Sequence, residues 1–146
     1  MTFHVAIIPD GNRRWAVSHG LLPMRGHEAG RKALDNLMTT VETLGITHLT
    51  FWGASVDNLT KRSADEIAFL DAAFRDEFRR LASHPKVREY RIRIRIIGEW
   101  QEFLSTETVA AGHEAVAATS QYDRRVLTVL VAYDGVREMQ QAIQAL

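Results

Sequence analysis

Val5-Ala6-Ile7-Ile8-Pro9-Asp10-Gly11-Asn12-Arg13-Arg14-Trp15 is the stretch that decides how this chain is read. Four apolar residues run into Pro9 and a carboxylate, a Gly-Asn turn follows, and two adjacent arginines open a helix. Backbone N–H groups freed by such a turn, a helix N-terminus and Arg side chains together favour a phosphate group. Asp10 beside phosphate oxygens would repel them unless a divalent cation lay between. Mg²⁺ suits that place, because it takes oxygens from one or two carboxylates plus substrate phosphates. The stretch therefore predicts a metal-diphosphate site on Asp10. The plainer alternative is that Asp10 merely caps the helix.

Working outward, strand and helix patterns alternate. Phe3 to Ile8 reads as a strand. From Gly26 to Leu44 the apolar residues Leu34, Leu37, Met38, Val41 and Leu44 keep helical spacing, and Gly45 closes the helix. Ile46 to Ala54 is a second strand. Ser63-Ala64-Asp65-Glu66 has the form of a capping box, leading a helix with Ile67, Leu70, Phe74, Phe78 and Leu81 on one face. Arg91 to Ile97 is a third strand, Thr106 to Thr119 a helix, and the apolar run Val126 to Tyr133 a strand covered on both faces. A last helix starts near Gly135. Serial β-α units predict an α/β fold, a parallel sheet with helices on both faces, in a single domain over residues 1–146. In such sheets ligands gather at the carboxyl ends of the strands. Asp10, then Ser55, Asp57 and Asn58, then Gly98 and Glu99, then Tyr133 and Asp134 all fall there.

Composition removes several classes. Eighteen basic and eighteen acidic residues cancel, which argues against nucleic-acid binding by bulk charge. Without cysteine there is no disulfide, thiolate chemistry or Cys-based zinc site. No apolar run approaches the ~18 residues that span a bilayer, and the opening lacks the layout of a signal peptide. The expectation is a cytoplasmic protein whose membrane contact, if any, is peripheral.

Other candidates carry a plain reading beside the functional one. His27, within Arg25-Gly26-His27-Glu28 at a helix start, is either a capping residue or a second phosphate ligand, with Gly26 permitting close backbone approach. Ser55, Asp57 and Asn58 suit a turn on their own, but Lys61 and Arg62 follow them on the same sheet edge as Asp10. Arg91, Arg93 and Arg95 alternate with Ile92, Ile94 and Ile96 as in an amphipathic strand. Trp52, Phe69, Phe74 and Phe78 are either core or the walls of an apolar channel.

His4 to Ala16 closely resembles the opening signature of the cis-prenyltransferases of the undecaprenyl diphosphate synthase type. Gly26-His27 with Ala29-Gly30, Leu49-Thr50-Phe51-Trp52 into Ser55-x-x-Asn58, Ile96-Ile97-Gly98-Glu99 and Val131-Ala132-Tyr133-Asp134-Gly135 are similar to later motifs, in order along the chain. The resemblance implies a Mg²⁺-dependent enzyme joining isopentenyl diphosphate to an allylic, farnesyl-like diphosphate with a new cis double bond, and a homodimer. It makes Asp10 the carboxylate that handles the Mg²⁺-diphosphate. Gly11, Asn12, Arg13, Arg14 and His27 bind the allylic diphosphate, and Trp15 lies near the mouth of the prenyl channel. Ser55, Val56 and Asp57 touch substrate, Asn58 takes part in proton transfer, and Lys61 stands where the family has a cation. Departures occur at Arg13 (commonly Gly), Pro23 (Arg), Leu59 (Trp) and Lys61 (Arg). The family's C-terminal Arg-Thr-Ser-Gly-Glu type block has no counterpart, so the chain reads as an N-terminal portion. A non-catalytic diphosphate-binding partner subunit is the alternative.

Overall fold

In the computed structural model, residues 3–146 are described, without the side chains of residues 34–39, 41 and 42. Four strands, β1 (His4–Ile7), β2 (His48–Ala54), β3 (Ile92–Ile97) and β4 (Arg125–Val131), form a parallel sheet in the order β1-β2-β4-β3. The helices are α1 (Asn12–Ser18), α2 (Pro23–Thr43), α3 (Val56–Thr60), α4 (Ala64–Ser83), α5 (Pro85–Glu89), α6 (Trp100–Phe103), α7 (Thr106–Ala118) and α8 (Gly135–Gln144). The α/β parallel architecture expected from the serial pattern is the one observed.

Period-2 burial explains why β3 and β4 lie where they do. Leu127, Val129 and Val131 are buried on β4, and Ile92 and Ile94 on β3, while Arg93 and Arg95 face outward. The predicted ends shift for a backbone reason. Arg91 and Ala132 each have φ of 50°, left-handed, so β3 begins one residue later and β4 stops at Val131, short of Tyr133. Arg91 and Arg93 then tie the sheet to the turn before β4, through Asp123 (2.9 Å) and the Tyr122 carbonyl (2.8 Å).

Phe78, Leu70 and Leu81 of α4 are buried in the core with Trp100, Ala111 and Ala115. Asp71 clamps α4 to α7: it accepts from the Ser105 backbone N–H (2.8 Å), the Ser105 hydroxyl (2.7 Å) and the Thr108 hydroxyl (2.8 Å). The predicted apolar face of α2 from Leu34, Leu37, Met38 and Val41 lies outside the described residues. Leu44 follows the end of that helix and is exposed, a correction to its place on the face. Gly45, at φ 66°, takes the left-handed turn expected of it.

Candidate functional site

The first corner of the site is built by Gly11. Its φ of 94° turns the chain out of β1 so that it, and not Asp10, is the N-cap of α1, and no side chain caps that helix. Asp10 instead folds over the turn. Its Oδ1 accepts from the Gly11 N–H at 2.6 Å and its Oδ2 from Arg14 at 3.0 Å. These donors, Arg14 first, hold the carboxyl below its usual range, so it stays ionised into acid. Its side chain is 76% exposed, open to a further ligand.

The second corner lies where α1 crosses α2. Pro23 starts α2 three residues before the predicted Gly26, so Gly26 and His27 occupy its second turn and not its open N-terminus. Gly26 is needed for close approach, but to α1: a Cβ there would sit 2.0 Å from the Asn12 carbonyl oxygen. A Cβ at Gly30, one turn on, would meet the Asn12 amide at 2.8 Å. The Gly26–Gly30 step is thus a socket for α1.

That crossing sets Arg13 beside a cluster that the sequence pattern does not assemble. Glu66, 8% exposed, accepts from Arg62 at 2.8 Å and lies 3.6 Å from both His27 Nε2 and Arg13 Nε. Arg62 also reaches His27 Nε2 at 3.2 Å. Burial, then the neighbouring Arg62, pushes His27 below the ordinary imidazole value. The consecutive arginines therefore part company, Arg14 on Asp10 and Arg13 on Glu66. The predicted capping box forms only in half. The Glu66 N–H does donate to Ser63 Oγ (3.3 Å), but its carboxylate turns to the bases. The i,i+4 spacing of Arg62 and Glu66 is the available signal.

At the tip of β2, Ser55 and Asn58 satisfy each other: the Asn58 N–H donates to Ser55 Oγ (3.2 Å) and the Ser55 N–H to Asn58 Oδ1 (3.3 Å). Val56 is buried, with its side chain in the core cluster. Asp57 and Lys61, both exposed, pair with one another at 2.9 Å, so the cation that turns inward is Arg62. Trp15 is 44% exposed and stacks on His19 with centroids 4.4 Å apart.

A cleft of about 310 Å³ is lined by His27 and by Phe51, Phe69 and Phe74, with Glu28, Asp76 and Glu77 also on its wall. Phe51, Phe74 and Glu77 also line a second cavity, of about 370 Å³, that reaches Ile46 and Tyr90 near the opposite sheet edge. Phe69 and Phe74 line the cleft, Phe78 is buried and borders the second cavity, and Trp52 meets Tyr133 edge-on at 5.6 Å. Cations beside a carboxylate, opening on an aromatic-walled cleft, suit an amphiphile with an anionic phosphorylated head.

Among the described residues no three metal-ligating side chains come together. The donor set on Asp10 is one exposed carboxylate, which fits an ion shared with substrate phosphates, as Mg²⁺ commonly is, and not a protein cage.

Comparison with known proteins agrees with this chemistry. Residues 8–146 match the family described as "Putative undecaprenyl diphosphate synthase". A Pyrococcus horikoshii tritrans,polycis-undecaprenyl-diphosphate synthase (geranylgeranyl-diphosphate specific) is 40% identical over 141 residues, 97% of this chain and 53% of that one. The Thermotoga maritima isoprenyl transferase is 36% identical over 97% of this chain and 59% of its own. The crystal structure of lavandulyl diphosphate synthase from Lavandula x intermedia, in complex with dimethylallyl diphosphate, superposes with a TM-score of 0.84. It is 28% identical, with 97% of this chain and 59% of that chain covered. The chain spans about half the length of the relatives it matches.

Proposed function

The chain belongs to the undecaprenyl diphosphate synthase family, and we propose that it holds the allylic-diphosphate half of a cis-prenyltransferase centre. The carrying observation is His27, which lines the phenylalanine-walled cleft and lies beside Arg62 and, through Glu66, Arg13. An allylic diphosphate seats its head on those bases and its prenyl tail between Phe51, Phe69 and Phe74. Gly11, Asn12 and Arg14 complete the head-group site, with Trp15 at its rim. Arg62 takes the part expected of Lys61. Ser55, Asp57 and Asn58 face isopentenyl diphosphate, with Val56 supporting the loop from beneath and Asn58 serving proton transfer once its bond to Ser55 opens.

Departure of diphosphate from an allylic carbon leaves charge on the phosphate oxygens, and fixed cations aimed there lower the barrier without reorganising. Asp10 would hold Mg²⁺, which supplies further charge neutralisation. The apolar cleft keeps water from the allylic carbon and shelters the growing chain. The name of the Pyrococcus horikoshii relative supports a geranylgeranyl primer, beside the farnesyl-like one that the motifs imply. Homodimerisation, a cytoplasmic location and peripheral membrane contact belong to the same proposal. No helix among the described residues is long and apolar enough to cross a membrane.

The departures at Arg13, Pro23 and Leu59 from the family's usual residues favour one further reading, a non-catalytic diphosphate-binding partner subunit. Both are tested by incubating the protein with labelled isopentenyl diphosphate, farnesyl or geranylgeranyl diphosphate and Mg²⁺, alone and mixed with a full-length relative. Chain extension by the protein alone supports the enzyme. Extension that rises only on mixing, with co-purification, supports the partner. No product and no gain in either arm overturns both.

A further inference from the structure

Arg62 has only donors to offer, since a guanidinium carries five N–H groups and no acceptor. Its Nη1 lies 3.2 Å from His27 Nε2, so that nitrogen presents its lone pair and the ring proton sits on Nδ1. His27 is therefore neutral in this state. Of the groups facing it, Arg13 from α1 and Arg62 ahead of α4 favour the neutral ring. Glu66 from α4, 3.6 Å from the same nitrogen, pulls the other way and is outweighed by burial and Arg62; the Phe69 ring lies 6.3 Å away. Two guanidiniums against one carboxylate leave the cluster with an excess positive charge, and His27 is only 17% exposed.

A diphosphate head reverses those terms. It brings at least two negative charges to the face now shared by Arg13 and Arg62. It also sets an acceptor oxygen where Nε2 has a lone pair, and two acceptors cannot bond without a proton between them. We infer that this cluster is a proton-linked anion site, in which His27 takes up a proton at Nε2 as the diphosphate arrives and becomes a cationic ligand of the head group. The inference rests on the diphosphate reading above. Glu66 is the positioning residue: it holds Arg62 against His27 in the free protein and neutralises part of the charge once His27 is an imidazolium. Burial and Arg62 already press the free imidazole below its ordinary 6.5, so near neutral pH the ring has a proton to gain. Linkage then makes affinity weaken as pH rises through the value His27 has in the complex.

Farnesyl diphosphate titrated calorimetrically into the protein at pH 7.5, in buffers of different ionisation heat, counts the protons exchanged. The wild type is expected to take up about 0.5–1 proton more per ligand than His27→Gln, the difference removing the ligand's own titration. Equal counts in the two proteins overturn the inference and leave the diphosphate reading standing. Absence of binding to the wild type overturns both. Should His27→Gln fail to fold, nitrogen chemical shifts of the wild-type His27 ring decide: imidazolium on adding ligand supports the inference, and a neutral ring that only exchanges tautomers overturns it.

Discussion

The carboxyl edge of the sheet has two halves that use the same residue types to opposite ends. Over β3 and β4, Glu99 is taken by Arg137 (2.6 Å) and Gln141 (3.2 Å), Asp134 caps α8, and the Tyr133 hydroxyl donates to Glu138. Each acid there closes a local contact. Over β1 and β2, Asp10 stays 76% exposed on one arginine and one amide, while Glu66 is shut in by Arg13, Arg62 and His27. Acids at strand ends thus fail to mark a site by themselves. The site proposed above combines an exposed carboxylate, a cluster with more bases than acids and a cleft walled by phenylalanines.

The comparison is broken most easily at Asp10. Asp10→Ala is expected to cost about a thousandfold in the turnover of the active enzyme, the usual worth of transition-state charge stabilisation. Its urea midpoint stays put, because the Arg14 pair is exposed. Retained turnover would put Asp10 with the closed acids over β3 and β4. Glu66→Gln is next and moves the other observable: leaving Arg62 without its carboxylate lowers folding stability by about 3 kcal/mol, read from urea unfolding. An unchanged midpoint would show the cluster to be as loosely held as a surface pair. The smallest effect sharpens the choice between neighbouring cations. Lys61→Ala, which loses only the exposed Asp57 pair, changes stability by less than about 0.5 kcal/mol and leaves allylic diphosphate affinity intact. A large loss of affinity would return the inward cation's part from Arg62 to Lys61.

Local chemistry is the legible portion of this chain. A strand ending in Pro9-Asp10 and a Gly11 turn involve near neighbours, so the strand, the turn and the open carboxylate are all readable. Side chains that cross between elements are not. Gly26 does serve close approach, yet its neighbour is the Asn12 carbonyl and not a ligand, which only the angle between α1 and α2 decides. Glu66 occupies the right place for a reciprocal cap, but a long side chain is drawn by the strongest field within reach, and three bases outweigh one amide. Lys61 and Arg62 are adjacent in sequence and differ only in which way the chain turns between α3 and α4.

The short first strand has a last consequence. Among the described residues β1 pairs only with β2, over four residues matched from His4–His48 to Ile7–Phe51, and it carries Asp10 at its tip. Such a margin opens at lower free-energy cost than the interior of the sheet. On the function proposed above, a ligand seated on Asp10 and α1 would bind only the closed form, so that occupancy and the docking of this strand would become one equilibrium. The ligand would then be a clasp on the part of the molecule that receives it.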